Sequence, residues 1–317
     1  MRTIRIQAAL AAALIGADAF SGIAQQDKAA QDMAQVRKAL GGEQKGAALK
    51  SLSLRATYQR DMAIPGMAGG GRTVIAMTGG PAGGASTQVT GDIELDVEFP
   101  SRYIKVDTST GFMAMTRTEG FDGGRPFVNA VSANPGMRIR IERPEDDPSF
   151  TKTALERNQA ELARLLLGIL GTTPASFPVT YSHTGVAESS DGKADIIEVK
   201  GPGNFAARLF VDVESHLPLM LSYKASEPRI VTRTADRNSA DEPQNDADRV
   251  ERARKEAEAT PPKLVEYRLF FSDYRQVGDL SLPHRIARGT AEKTTEEWEV
   301  KSYKINPTFK PDRFKVS

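Results

Sequence analysis

The chain has 317 residues, no cysteine, and 42 Lys+Arg against 41 Asp+Glu, a formal charge of +1. The missing thiols exclude disulfides, thiolate chemistry and a lipid-modified cysteine at a processed N-terminus. The balanced charge gives no nucleic-acid footprint, and the length suffices for an ordinary hydrophobic core.

The first residues, MRTIRIQAALAAALIGADAFSGIAQQ, follow the pattern of a secretory signal: Arg2 and Arg5, the apolar run Ile6–Ile15, then small Gly22-Ile23-Ala24. Asp18 interrupts the run, and a membrane span would need about 20 apolar residues. Cleavage is expected after Ala24, which would leave Gln25–Ser317 as a periplasmic or secreted protein. The mature chain reads as a single domain, 25–317.

Ala29, Met33, Val36 and Leu40 recur at helical spacing, and Gly41-Gly42 predicts the helix end. Leu49, Leu52 and Leu54 lead into a strand. The glycine-rich stretch 66–86 lacks the Gly-Lys-Ser/Thr ending of a phosphate-binding loop and no helix pattern follows it, so it reads as an insertion around a short strand, Thr73–Met77. In GDIELDVEFPSRYIKVDTS, Ile93, Leu95 and Val97 alternate with Asp92, Glu94, Asp96 and Glu98. That predicts a sheet with one buried and one wet face, hence antiparallel. Phe99-Pro100-Ser101 turns the chain into a strand over Tyr103–Asp107, and Asp122-Gly123 supplies hairpin chemistry between Phe121 and Phe127.

Thr151–Gly171 carries the strongest helical pattern, with Leu155, Leu162, Leu165, Leu166, Ile169 and Leu170 on one broad stripe. From Phe177 a meander of hairpins is expected, with turns at Ser190–Gly192, Gly201–Gly203 and Ser215–Pro218. Residues 226–262 are charged, bracketed by proline and nearly free of aromatics, which predicts a disordered or partly helical surface insertion whose deletion would cost little stability. Strands resume at KLVEYRLFFSDYRQVGDLSLPHRIARG and EEWEVKSYKINPTFKPDRFKVS, turning at Gly278-Asp279. Each Leu-Pro pair belongs at a strand start or an edge, because proline lacks the ladder donor.

His183, His216 and His284 share no short metal-motif spacing, and no G-x-S-x-G elbow is present. His216 and His284 each follow or precede a Leu-Pro step and read as corner residues. No catalytic residue, cofactor or metal is expected.

The segments KALGG, GFDG, VDVESHLPLMLSY, DYRQVGDLSLPHRI and INPTFKPDRFKV together resemble the bacterial outer-membrane lipoprotein-sorting-like proteins, with the fold of the LolA/LolB carriers and RseB-type regulators. The resemblance spans roughly Asp27–Val316 apart from the two insertions. It implies an α+β, mostly β fold: a curved antiparallel sheet, an incomplete β-barrel, with helices over its concave side and an apolar cavity for acyl chains. It also implies a part in outer-membrane biogenesis. Strand alternation and the helix stripe then nominate cavity-lining positions. They are Leu162, Leu166, Ile169 and Leu170 on the helix, and Leu209, Val211, Leu219, Leu221 and Tyr223 about the first Leu-Pro hairpin. Val265, Tyr267, Leu269, Phe271, Trp298 and Val300 lie on the later strands. Any one of these could equally fill a closed core. The functional expectation is a non-enzymatic binding or carrier protein for lipid or lipoprotein acyl chains. An interaction or sensor module for a membrane-anchored partner stands as the alternative, and a hydrolase with an unrecognised site ranks below both.

Overall fold

The computed structural model describes residues 22–42, 48–62, 87–111, 114–132, 148–190, 192–226 and 264–315. Most of the expected signal segment (1–21), the glycine-rich stretch with the strand expected at Thr73–Met77, and the charged stretch beyond Ser226 lie outside these. One helix, α1 (Gly22–Ala39), opens the described chain. Five strands follow: β1 (Ser51–Met62), β2 (Thr87–Glu98), β3 (Arg102–Ser109), β4 (Met115–Asp122) and β5 (Arg125–Ser132). A second helix, α2 (Pro148–Leu170), precedes β6 (Thr180–Ser189), β7 (Gly192–Gly201), β8 (Phe205–Asp212) and β9 (Pro218–Ser226). The last three strands are β10 (Leu264–Val277), β11 (Leu280–Thr290) and β12 (Thr294–Ile305).

All twelve strands form one antiparallel sheet in the order β5-β4-β3-β2-β1-β12-β11-β10-β9-β8-β7-β6. Its two edges, β5 and β6, do not pair, so the sheet curves without closing. The one non-sequential pairing, β1 with β12, joins the two halves of the chain (Leu54 opposite Tyr303, Tyr58 opposite Trp298). The two ends of the sheet differ. Short turns at 99–101, 123–124, 213–217 and 278–279 close one end, whereas the long connections 63–86, 133–147 and 227–263 all leave from the other.

The buried apolar residues of alternate strand positions and of both helices form one core on the concave side. α2 crosses this face, with Leu162, Leu165, Leu166, Leu167 and Ile169 buried beneath it. Proline occupies its first helical position, where no amide bond is lost, and Gly171 ends it. At Gly168 the helix sits so close to the sheet that a Cβ would lie 2.0 Å from the Phe271 ring. α1 packs on β6, burying Ala29, Met33, Val36 and Leu40. Its end is fastened to the β10–β11 turn: Ser281 N donates to Leu40 O at 3.0 Å, and a Cβ on Gly41 would meet Asp279 O at 2.4 Å. A smaller apolar cluster, Ala187, Ala194, Phe210 and Met220 against Ile196 and Phe270, lies on the opposite face of the sheet.

Several local expectations change. α1 starts three residues before the expected processed terminus at Gln25. The β4–β5 loop is Gly123-Gly124, because Asp122 pairs with Arg125 and closes β4. Asp96, expected to be wet, is 1% exposed; Arg55 (2.7 Å) and Arg313 (2.6 Å) clamp it and tie the C-terminal tail to the sheet. The pairing slips by one residue between Phe210 and Val211, so Pro218 rather than Leu219 faces Val211. That bulge turns Leu219 outward, and it is 41% exposed. Pro218 does start a strand, as the missing donor requires. Pro283 instead sits inside β11, opposite Tyr274, at a stretch where β12 pairing has not begun.

Candidate functional site

Of the fifteen nominated lining residues, eleven are buried in the closed core: Leu162, Leu166, Ile169, Leu170, Leu209, Val211, Leu221, Leu269, Phe271, Trp298 and Val300. Leu219 is exposed at its bulge. Tyr223, Val265 and Tyr267 are half-buried, and all three lie toward the end of the sheet that carries the long connections. The concave face thus has a packed portion under α2 and, beyond it, a half-buried strip at its mouth.

A belt of charge separates the two. On strand after strand, the inward position next to an aromatic or aliphatic core residue is charged: Arg60 after Tyr58, Lys105 after Tyr103, Glu119 before Phe121, Arg288 after Ile286, Glu296 before Trp298. Register brings them together. Lys105 Nζ stands 2.7 Å from Glu119 and 2.6 Å from Glu161 of α2, and Arg288 reaches the same Glu161 oxygen at 3.3 Å. Arg60 bridges Asp107 (2.7 Å) and Glu296 (3.1 Å), while Glu296 also accepts from the Trp298 indole. Arg117 bonds Glu119 at 2.8 Å. Burial pushes the Glu161 carboxyl up, but Lys105 and Arg288 outweigh it and hold it well below the usual carboxylate range. Glu119 and Glu296 are lowered by the same contest, burial against Lys105 in one and against Arg288 and Arg60 in the other. Burial would lower Lys105, but Glu161 and Glu119 raise it.

The sign of the pH dependence follows. Carboxylates whose folded pKa is depressed contribute stability in full above their ordinary values, about 4–4.5, and lose it as pH falls below them. Lys105, raised, contributes below its ordinary value of about 10.4 and loses its share only above it. Unfolding free energy measured in urea is therefore expected to have no contribution from this belt that varies between about pH 6 and 9, and to fall steeply below about pH 4. A loss centred near neutrality would contradict it.

Beside the belt, Arg164 of α2 lies over the Tyr223 ring at 4.0 Å and near Phe205 at 5.3 Å. Tyr223 stacks on Tyr267 (5.7 Å, 25°), its direct partner across β9 and β10. The Arg164 Nε is buried without a hydrogen-bond partner. Among the described residues no carboxylate reaches Arg164 at ion-pair distance. Burial lowers its pKa, opposed in part by Tyr223 and Glu161.

The histidines stand apart from this mouth. His216 sits in the β8–β9 turn at φ 55°, its amide donating to Asp212 O at 2.9 Å. His284 is no corner residue: it is buried within β11, its Nδ1 3.0 Å from Leu282 O and its ring edge-on to Tyr303. His183 Nε2 lies 2.9 Å from Asp195, and with Asp32 these ligand atoms fall within 4.8 Å of one another. Residue spacing gave no sign of this group, since α1, β6 and β7 bring it together. Lys28 already neutralises it, 3.0 Å from Asp32 and 3.2 Å from Asp195, so it reads as an ionic tie between α1 and the sheet.

No family model matches the chain, and no curated protein matches it. It is similar to a solved LolA superfamily protein from Nitrosomonas europaea, with 10% identity, 91% of this chain and 97% of that one covered, and a TM-score of 0.45. A domain from Vibrio parahaemolyticus described as outer membrane lipoprotein-sorting is similar at 10% identity, covering 92% and 97%, with a TM-score of 0.44. A DUF1329 family protein from Desulfovibrio piger follows at 8% identity, 90% and 96% covered, and a TM-score of 0.43. At these identities and scores the likeness says nothing of ligand or partner. Among the described residues no helix is long and apolar enough to cross a membrane.

Proposed function

We propose that this chain is a non-enzymatic, exported binding or carrier protein that holds a lipid or lipoprotein acyl chain at the mouth of its concave face. The observation that carries this reading is the continuation of the apolar lining past the closed core, as half-buried Tyr223, Ala225, Val265 and Tyr267. An acyl chain laid along that strip needs no catalytic group, because each methylene removed from water contributes about 0.8 kcal/mol before ordering costs.

A fluorescence titration with the neutral apolar probe 1-N-phenylnaphthylamine tests it. Saturable uptake is expected, weakened about tenfold by Tyr267→Asp, since a carboxylate on the strip must be desolvated when the probe binds. His216→Ala and His284→Ala are expected to leave uptake unchanged, as neither side chain faces the mouth. Absence of any saturable signal would overturn the reading.

A second reading, an interaction or sensor module for a membrane-anchored partner, is favoured by one specific feature. The core under α2 is packed shut at Gly168 and Phe271, which leaves no enclosed chamber at that point. A chain that ignores the apolar probe but binds a membrane protein would be of this kind.

A further inference from the structure

The belt and mouth hold five basic groups, Arg60, Lys105, Arg117, Arg164 and Arg288, and four acidic ones, Asp107, Glu119, Glu161 and Glu296. Every acidic group is matched by a cation at ion-pair distance. Among the described residues, the cation of this group with no carboxylate at ion-pair distance is Arg164.

An arginine in that position is expensive. Its Nε–H is buried with no acceptor, and among the described residues the groups in close contact with its charge are the faces of Tyr223 and Phe205. Ring faces attract a guanidinium, but they accept none of its five directed hydrogen bonds. A buried donor left unmade costs free energy that an apolar side chain of similar length would not. Around it, Leu162, Ala163, Leu165 and Leu166 on the same helix are all apolar. The guanidinium therefore has the state of a group prepared for an anion: buried at Nε, oriented by two rings, and paired with no carboxylate among the described residues. A planar fork of this kind binds carboxylate or phosphate oxygens through paired N–H donors.

Resting on the binding function proposed above, we infer that Arg164 anchors the anionic headgroup of an acyl ligand, a carboxylate or a phosphate monoester, while the chain lies along Tyr223, Val265 and Tyr267. The ligand class is then a fatty acid or a monoacyl phosphate rather than a neutral lipid. Tyr223 contributes twice, holding the guanidinium on one side and stacking on Tyr267 toward the strip.

The test is displacement of bound 1-N-phenylnaphthylamine by palmitate, oleoyl lysophosphatidate and methyl palmitate, near neutral pH. For the wild-type chain, at least one of the two anions is expected to displace the probe about tenfold better than the ester, and which one does so identifies the headgroup. Arg164→Met is expected to bring both anions to the level of the ester while saturable probe uptake is retained. Arg164→Lys should keep part of the preference, since it retains the charge but not the fork. Arg164→Met is also expected to melt at or above the wild-type temperature, because it removes an unpaired buried cation, whereas an arginine serving only structure would lower it. Equal displacement by anions and ester in the wild type, or a preference that survives Arg164→Met, overturns the headgroup assignment while leaving the apolar site intact. Failure of the probe itself to bind removes both.

Discussion

Glu161→Gln is expected to lower the unfolding free energy by about 3–5 kcal/mol, because it leaves two cations in the interior without their shared carboxylate. Lys105 and Arg288 both converge on one oxygen of Glu161, at 2.6 and 3.3 Å. Glu119 would remain for Lys105, but Arg288 has no other carboxylate at ion-pair distance among the described residues. The ion pair sets the polar register of α2 on the sheet together with Asn158, whose amide donates to Gly120 O at 3.0 Å. The comparison is Glu188→Gln, which breaks a 2.6 Å pair with Lys193 whose two side chains are mostly in water. That change is expected to cost about 0.5 kcal/mol or less. Both are read by urea unfolding at neutral pH, and equal small losses would show that water reaches the belt.

Gly168→Ala is expected to cost about 2–3 kcal/mol, the upper part of the range for overpacking a filled core. The added methyl would meet three atoms of the Phe271 ring at 2.0–2.3 Å, and that ring is itself buried in the core, so any shift must displace other core side chains. The neighbouring Tyr274 hydroxyl, which donates to Pro218 O at 2.7 Å and lies 3.3 Å from Gly168 O, fixes the same stretch of helix. Adding Phe271→Leu to Gly168→Ala should recover part of the loss, so that the double variant is more stable than the sum of the single changes implies. Strict additivity would mean that helix and ring do not compete for this space.

The apolar half of the concave face was legible because its signal is periodic. Ile93, Leu95 and Val97, the α2 stripe, and the alternation about Leu209 and Leu221 each fix a face with no knowledge of partners, and Ile93, Leu95, Val97, Leu209, Leu221 and all of the α2 stripe but half-buried Leu155 are buried. The expected turns were legible to within two residues, because glycine and proline mark them. Leu219 went astray for a physical reason: a bulge moves one residue, and alternation cannot show where pairing slips. Asp96 was assigned to the wet face since its partner Arg313 is 217 residues distant, and only the folded tail returns it.

The charge belt was present in the sequence but could not be recognised there. Arg60, Lys105, Glu119, Arg288 and Glu296 each stand two positions from a core residue, on its face of the strand, where alternation predicts apolar side chains. A charged residue in phase with a buried face was the available sign. Their mutual partners come from four strands and a helix, and only the sheet order reveals that they meet. The same holds for Arg164, whose distinction is the absence of a carboxylate. That cannot be read from a sequence with nearly equal numbers of acids and bases.

The central claim, that the concave face carries a lipid without performing chemistry on it, is tested most directly by native mass spectrometry. The protein would be purified without detergent from cells that export it. A bound, chemically unaltered species of acyl-lipid mass is predicted, and it should be depleted in the Tyr267→Asp variant. An unliganded mass in the wild-type protein, with no adduct after incubation with palmitate or lysophosphatidate, would contradict the claim and leave the closed core as the support of a protein-binding surface.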